Sequence, residues 1–144
     1  MRILEPSLSD EELARIERDT FRYFAEEVNL ENGLVPDNTR RGAPSSIAVV
    51  GFALTAYPIA VERKYMRRSE AVRRTLTTLR FFYDCPQGTE PDATGYKGFY
   101  YHFLDMKTGR RAMKSEISTI FVARGRIAAI SSGSKVTYRP ESIS

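Results

Sequence analysis

Three acidic residues stand where an acid–base pair could be assembled: Glu116, Asp37 and Asp105. Two carboxylic acids facing one bond can divide the work, one donating a proton and the other activating water. Glu116 follows an aromatic segment at the predicted start of a helix, where an acid also serves simply to stabilise the helix dipole. Asp37 follows Pro36 in a loop beside Arg40 and Arg41, and an ordinary turn aspartate fits the same place. Asp105 closes the aromatic segment and equally suits a turn before Lys107. His102, the sole histidine, alternates with Tyr100 and Leu104 along a predicted strand. One histidine builds no metal site, so it either packs or touches a ligand. Tyr96, Phe99, Tyr100 and Tyr101 offer ring faces for stacking, or for packing of a hairpin. Lys97, between glycines, is placed to reach a ligand, but Gly95-Tyr96-Lys97-Gly98 lacks the pattern of a phosphate-binding loop.

These residues need a scaffold, and the sequence punctuates one. Ser9 followed by Glu12 is a capping box, with Leu8 and Leu13 spaced as a hydrophobic staple. Leu13, Ile16, Thr20, Phe21, Phe24 and Val28 then recur at helical spacing, ended by Asn29 and Gly33. Residues 29–44 form a long loop rich in turn residues, a length that often carries function. A second helix starts near Ser45 or Ser46, and Pro58 is expected to kink or end it. A third is expected from an N-cap at Ser69, with a stripe of Val72, Leu76, Leu79 and Phe82-Tyr83 and a stop at Pro86. The aromatic strand turns back at Lys107-Thr108-Gly109-Arg110 as a small hairpin near 96–113, and a fourth helix is expected from about Ser115.

Composition is that of a globular chain: 144 residues, 42% hydrophobic and 28% charged, enough for one domain with a core. No apolar run reaches the length of a membrane span, and the opening Met1-Arg2-Ile3-Leu4-Glu5-Pro6 carries no export signal, which leaves location open. The single Cys85 reads as an inert buried thiol, and no cofactor motif or zinc spacing is present. Most of the net charge of +4 gathers in residues 121–144, where Arg124, Arg126, Lys135 and Arg139 face only Glu141. A basic tail without a basic face argues against nucleic acid as a partner. Residues 131–144 are serine-rich and aperiodic and read as a disordered or aberrant tail after a unit spanning 1–130.

Several short motifs, in order, resemble the glucoamylase-like family of bacterial proteins, which includes endo-β-1,2-glucanases. They are Phe21-Arg22-Tyr23-Phe24, Glu31-Asn32-Gly33-Leu34-Val35-Pro36-Asp37, Gly51-Phe52-Ala53-Leu54, Gly95 through Asp105, and Ser115-Glu116-Ile117-Ser118-Thr119-Ile120. The resemblance implies a mainly α fold, part of an (α/α)6 toroid, whose ligand is an oligo- or polysaccharide. It implies a glycoside hydrolase, in which two carboxylic acids flank the scissile bond. Glu116 becomes the candidate acid, and Asp37, Arg40, Lys97, Tyr100, His102 and Asp105 the candidate sugar contacts. With about four helices, the chain would supply roughly the first third of a toroid. Phe121 stands where the family pattern has aspartate, and the basic tail follows. Truncation or a reading-frame change would produce that break. The expectation is a section inactive alone, with a non-catalytic sugar-binding or self-associating helical module as the alternative.

Overall fold

The computed structural model describes residues 8–122, so the tail at 131–144 and its basic residues lie outside the described residues. The first helix, α1 (Asp10–Glu26), starts as its capping box dictates. The Ser9 hydroxyl accepts from the Glu12 backbone at 3.3 Å, and the Glu12 carboxylate accepts from the Ser9 N–H at 2.9 Å. The staple is not buried, because Leu8 and Leu13 are each half exposed. Phe21 and Val28 supply the inward face instead.

A two-residue strand, β1 (Ser45–Ser46), runs into α2 (Ile47–Glu62). Ile47, Val50, Ala53, Tyr57 and Ala60 are buried at helical spacing. Pro58 does not end this helix, which continues four residues further to Glu62. Burial of Tyr57 and Ala60 on either side holds the backbone helical despite the lost donor. Helix α3 (Arg68–Asp84) starts earlier than the sequence suggested. Arg67, in extended conformation, is its N-cap, and Ser69 lies inside the first turn. Its buried face is Ala71, Thr78 and Phe82, while Val72 and Tyr83 point outward. Cys85 is buried just beyond the helix. No helix among the described residues is long and apolar enough to cross a membrane.

An ionic knot ties α3 to α1. Arg73 and Arg74 both bond Glu70, at 2.7 Å and 2.6 Å, and Arg74 also donates to the Ala25 carbonyl at 2.9 Å. Hydrogen bonds from Arg73, then Arg74, hold the Glu70 carboxyl at about 2, below its usual 4.5. The folded state therefore binds fewer protons, so this contribution is complete above pH 4.5 and is lost as pH falls towards about 2. Glu70→Gln should flatten the acid limb of a stability–pH curve by about 1 kcal/mol, a partly exposed pair being worth little more. Urea midpoints at pH 6 and pH 2.5 measure this; identical slopes for variant and parent would refute it.

Residues 95–122 of the described chain form a small antiparallel layer. Strand β2 (Gly95–Tyr96) turns at Lys97-Gly98 into β3 (Phe99–Tyr101), followed by β4 (Phe103–Leu104) and β5 (Ile117–Val122). Both turn residues have positive φ, as a two-residue hairpin needs. Strand β3 lies between β2 and β5, and β4 pairs with β1. The expected fourth helix is thus a strand, with Tyr101 opposite Ile117 and Tyr100 opposite Ser118. The Ile-Ser-Thr-Ile-Phe-Val composition suits a pleated surface, and the Ser115 hydroxyl bonds the Phe103 backbone instead of capping a helix. The expected return at Lys107–Arg110 is present: Asp105 N–H donates to Arg110 O, and Ala112 N–H to Phe103 O. Two cores result. Phe82, Tyr100, Leu34 and Leu104 fill the one beneath the sheet, and Phe21, Val35, Tyr57 and Ala71 the one among the helices.

Candidate active site

The long loop is anchored before it can present anything. Asn29 and Asn32 both donate to the Met106 carbonyl, at 2.8 Å and 3.0 Å. Ser45 Oγ donates to Val35 O at 2.7 Å, and the Tyr23 hydroxyl donates to Pro36 O. Asp37 N–H closes the loop on Pro44 O at 2.8 Å. Opposite it, the Asp105 carboxylate organises the 105–110 turn by accepting from Lys107 N–H, Thr108 N–H and Thr108 Oγ1. The Thr108 N–H above all keeps Asp105 below its usual 3.8, so it is ionised near neutrality.

A groove of about 530 Å³ lies between these two walls. Asn38, Thr39, Arg40 and Arg41 line one side, and Asp105 and Lys107 the other. That size and polarity fit a small hydroxylated ligand. Sequence reasoning had named Arg40 and Asp105 but missed Asn38, Thr39 and Lys107. Nothing local distinguishes those three from other turn residues; only the docking of the loop on the turn does.

Asp37, Glu116, His102, Lys97 and Tyr100 are not among the residues that line this groove. A row of backbone bonds joins two of them to each other and to the start of α2. The His102 carbonyl accepts from Ile47 N–H at 3.1 Å, and His102 N–H donates to Glu116 O at 2.9 Å. In the neighbouring row, Pro36 pairs with Ser45, Ser45 with Leu104, and Leu104 with Arg111. Thus Asp37 and Glu116 belong to opposite sides of one laddered patch at the N-terminal end of α2. Glu116 and Asp37 are exposed, and His102 is half-buried with its ring edge-on to Phe103 at 4.5 Å. Lys97 is exposed at the hairpin tip, its ammonium over the Tyr96 ring. Tyr100 requires a correction. It is fully buried and donates to Phe82 O at 2.7 Å, so it is a core residue with no face to offer a sugar.

Helices packed on a small sheet, with a groove between loop and turn, are an arrangement found in solved structures of longer chains. Three solved structures share it. A "putative glucoamylase" from Bacteroides uniformis ATCC 8492 is 33% identical, with a TM-score of 0.59, over 73% of this chain and 24% of that one. A second "putative glucoamylase", from Bacteroides fragilis NCTC 9343, is 24% identical with a TM-score of 0.56, over 76% of this chain and 26% of its own. The endo-β-1,2-glucanase from Chitinophaga pinensis, in complex with sophorotriose and glucose, is 21% identical with a TM-score of 0.56, over 72% and 25%. The last two likenesses concern the fold. No family model matches the chain, and no curated protein matches it.

The glucoamylase-like resemblance read from the sequence is thereby borne out, as is the mainly α, partial-toroid fold. This chain spans about a quarter of the length of these neighbours.

Proposed function

We propose that this chain forms part of a glycoside hydrolase acting on β-linked glucans, and that on its own it binds such saccharides without cleaving them. The observation that supports the reading is the groove that brings Arg40 together with Asp105 and Lys107; Glu116 lies outside its lining, on the segment whose backbone accepts from His102 N–H. In this reading Glu116 protonates the leaving glycosidic oxygen, and Asp37, Arg40, Lys97, His102 and Asp105 serve the bound sugar. Hydrolysis needs a second carboxylate across the scissile bond, roughly 5–9.5 Å away depending on the stereochemical outcome. Asp105 spends one oxygen on its own turn, which suits it to orient hydroxyls more than to activate water.

Titrating sophorotriose into the chain while following amide chemical shifts tests this. Shifts are expected at Arg40, Lys107 and Glu116, with no glucose released. Glu116→Gln should weaken binding by about tenfold, the loss of one charge-assisted hydrogen bond. The absence of any shift at millimolar sugar would sink the binding reading, and turnover would sink the claim of inactivity.

A second reading, a non-catalytic or self-associating helical module, draws on outward apolar side chains. Leu13 and Ile16 on α1 and Phe52 and Ile59 on α2 are about half exposed or more. Such patches favour association.

A further inference from the structure

One planar group holds the segment that delivers Glu116. The Arg111 guanidinium lies 4.2 Å from the centre of the Tyr101 ring. Its Nε donates to Ser115 O at 2.7 Å and its Nη2 to Lys114 O at 2.9 Å. Between arginine and these carbonyls the chain makes two consecutive left-handed residues, Met113 at φ 54° and Lys114 at φ 50°. Neither is glycine, asparagine or aspartate, so both adopt a conformation that a β-carbon disfavours. Such backbone persists only where its surroundings over-determine it. The surroundings are specific here. Buried Ser115 exchanges hydrogen bonds with both the N–H and the carbonyl of Phe103, at 3.1 Å and 3.2 Å. Glu116 O then receives His102 N–H. Tyr101, under the guanidinium, is itself paired with Ile117.

We propose that Arg111 is a positioning residue: stacked on Tyr101 and forked onto the carbonyls of Lys114 and Ser115, it sets the left-handed turn that fixes where the Glu116 carboxylate stands. Only the functional value of that placement rests on the reading of Glu116 given above. The chemistry selects arginine. Its flat fork stacks and makes two aimed hydrogen bonds at once, whereas a lysine ammonium is a point charge that cannot span the same contacts.

The test compares Arg111→Lys and Arg111→Ala in the isotope-labelled full chain. HN–Hα couplings at Met113 and Lys114 report φ, and hydrogen exchange reports the amides of Phe103 and Ser115. Both variants should move the couplings and speed those amides at least tenfold, while amides of α1–α3 keep their protection. Sophorotriose affinity should fall in Arg111→Lys as it does in Glu116→Gln. Arg111→Lys with parental couplings and protection overturns the proposal. So does a lysine variant with altered couplings and unchanged affinity, if Glu116→Gln does weaken binding. Should Arg111→Ala unfold the chain, the double variant with Lys114→Gly decides. Glycine takes the left-handed turn freely, so recovery supports the clamp and continued unfolding overturns it. If Glu116→Gln has no effect on affinity, the functional reading of that residue fails, while the couplings still judge the clamp.

Discussion

Replacing Gly33 with alanine is expected to destabilise the chain by about 2–5 kcal/mol. Two costs combine. Gly33 has a φ of +76°, where an alanine is strained by roughly 1–2 kcal/mol. Its new β-carbon would also stand 2.0 Å from Thr78 Oγ1 and 2.7 Å from Thr78 Cα. The second of these atoms is helix backbone, so a rotamer change cannot relieve the overlap, and overpacking of this kind adds about 1–3 kcal/mol. Either the loop lifts from α3 or α3 moves. Both outcomes disturb the base of the segment that carries Asp37 and Arg40. Gly42 is the control. It has a φ of +79°, but nothing lies within 4 Å of a β-carbon built there. Gly42→Ala should therefore lose only the conformational part, roughly 1–2 kcal/mol. Urea unfolding of the two variants and the parent makes the comparison. Equal losses at the two positions would mean that close approach to Thr78 does not matter. Against a total stability of about 5–15 kcal/mol, the Gly33 variant would be near its limit at moderate temperature.

Phe82→Ala should cost about 3–5 kcal/mol, the usual range for removing a fully buried phenylalanine. The ring has no exposure and meets Phe81 and Tyr100 edge-on, with centroids at 5.0 Å and 4.8 Å. The Phe82 carbonyl also accepts the buried Tyr100 hydroxyl. Truncation therefore opens a cavity between α3 and β3 and frees Tyr100 to move. Its consequence should reach the candidate site, because β3 leads directly into His102 and pairs with β5 beyond Glu116. Thermal or urea melts give the energy, and hydrogen exchange at Tyr101 and His102 shows whether the sheet loosens first. A loss under 1 kcal/mol would mean that the two sides close over the gap, and that the sheet does not depend on this ring.

The two substitutions act on the two partners that α3 supports: the loop at Gly33 and the sheet at Phe82. Loop and sheet meet at the groove. This explains how a chain spanning a quarter of its neighbours' length still builds a defined polar surface. The surface depends on a local core beneath the sheet, made of Leu34, Ile47, Phe82, Tyr100 and Leu104, all drawn from the described residues.

Features governed by neighbours in the chain were legible in the sequence. The Ser9–Glu12 capping box and the turn at Lys107–Arg110 each involve groups within a few residues, and each formed as its residue types require. The ordered motifs around Gly33, Gly95 and Glu116 carried the family resemblance. What depended on distant partners was not legible. Residues 117–122 have a pattern that serves a helix or a strand, and pairing with Tyr100 and Tyr101 decided for the strand. Ser69 looked the better cap, yet burial of Ala71, Thr78 and Phe82 set both the start and the face of α3. Arg40 and Asp105, 65 positions apart, share a groove only because Asn29 and Asn32 bind the Met106 carbonyl. Arg111 over Tyr101 gave no sign in the sequence at all. Local chemistry limits which conformations each segment can adopt, and tertiary contacts, each worth more than the difference between those conformations, select among them.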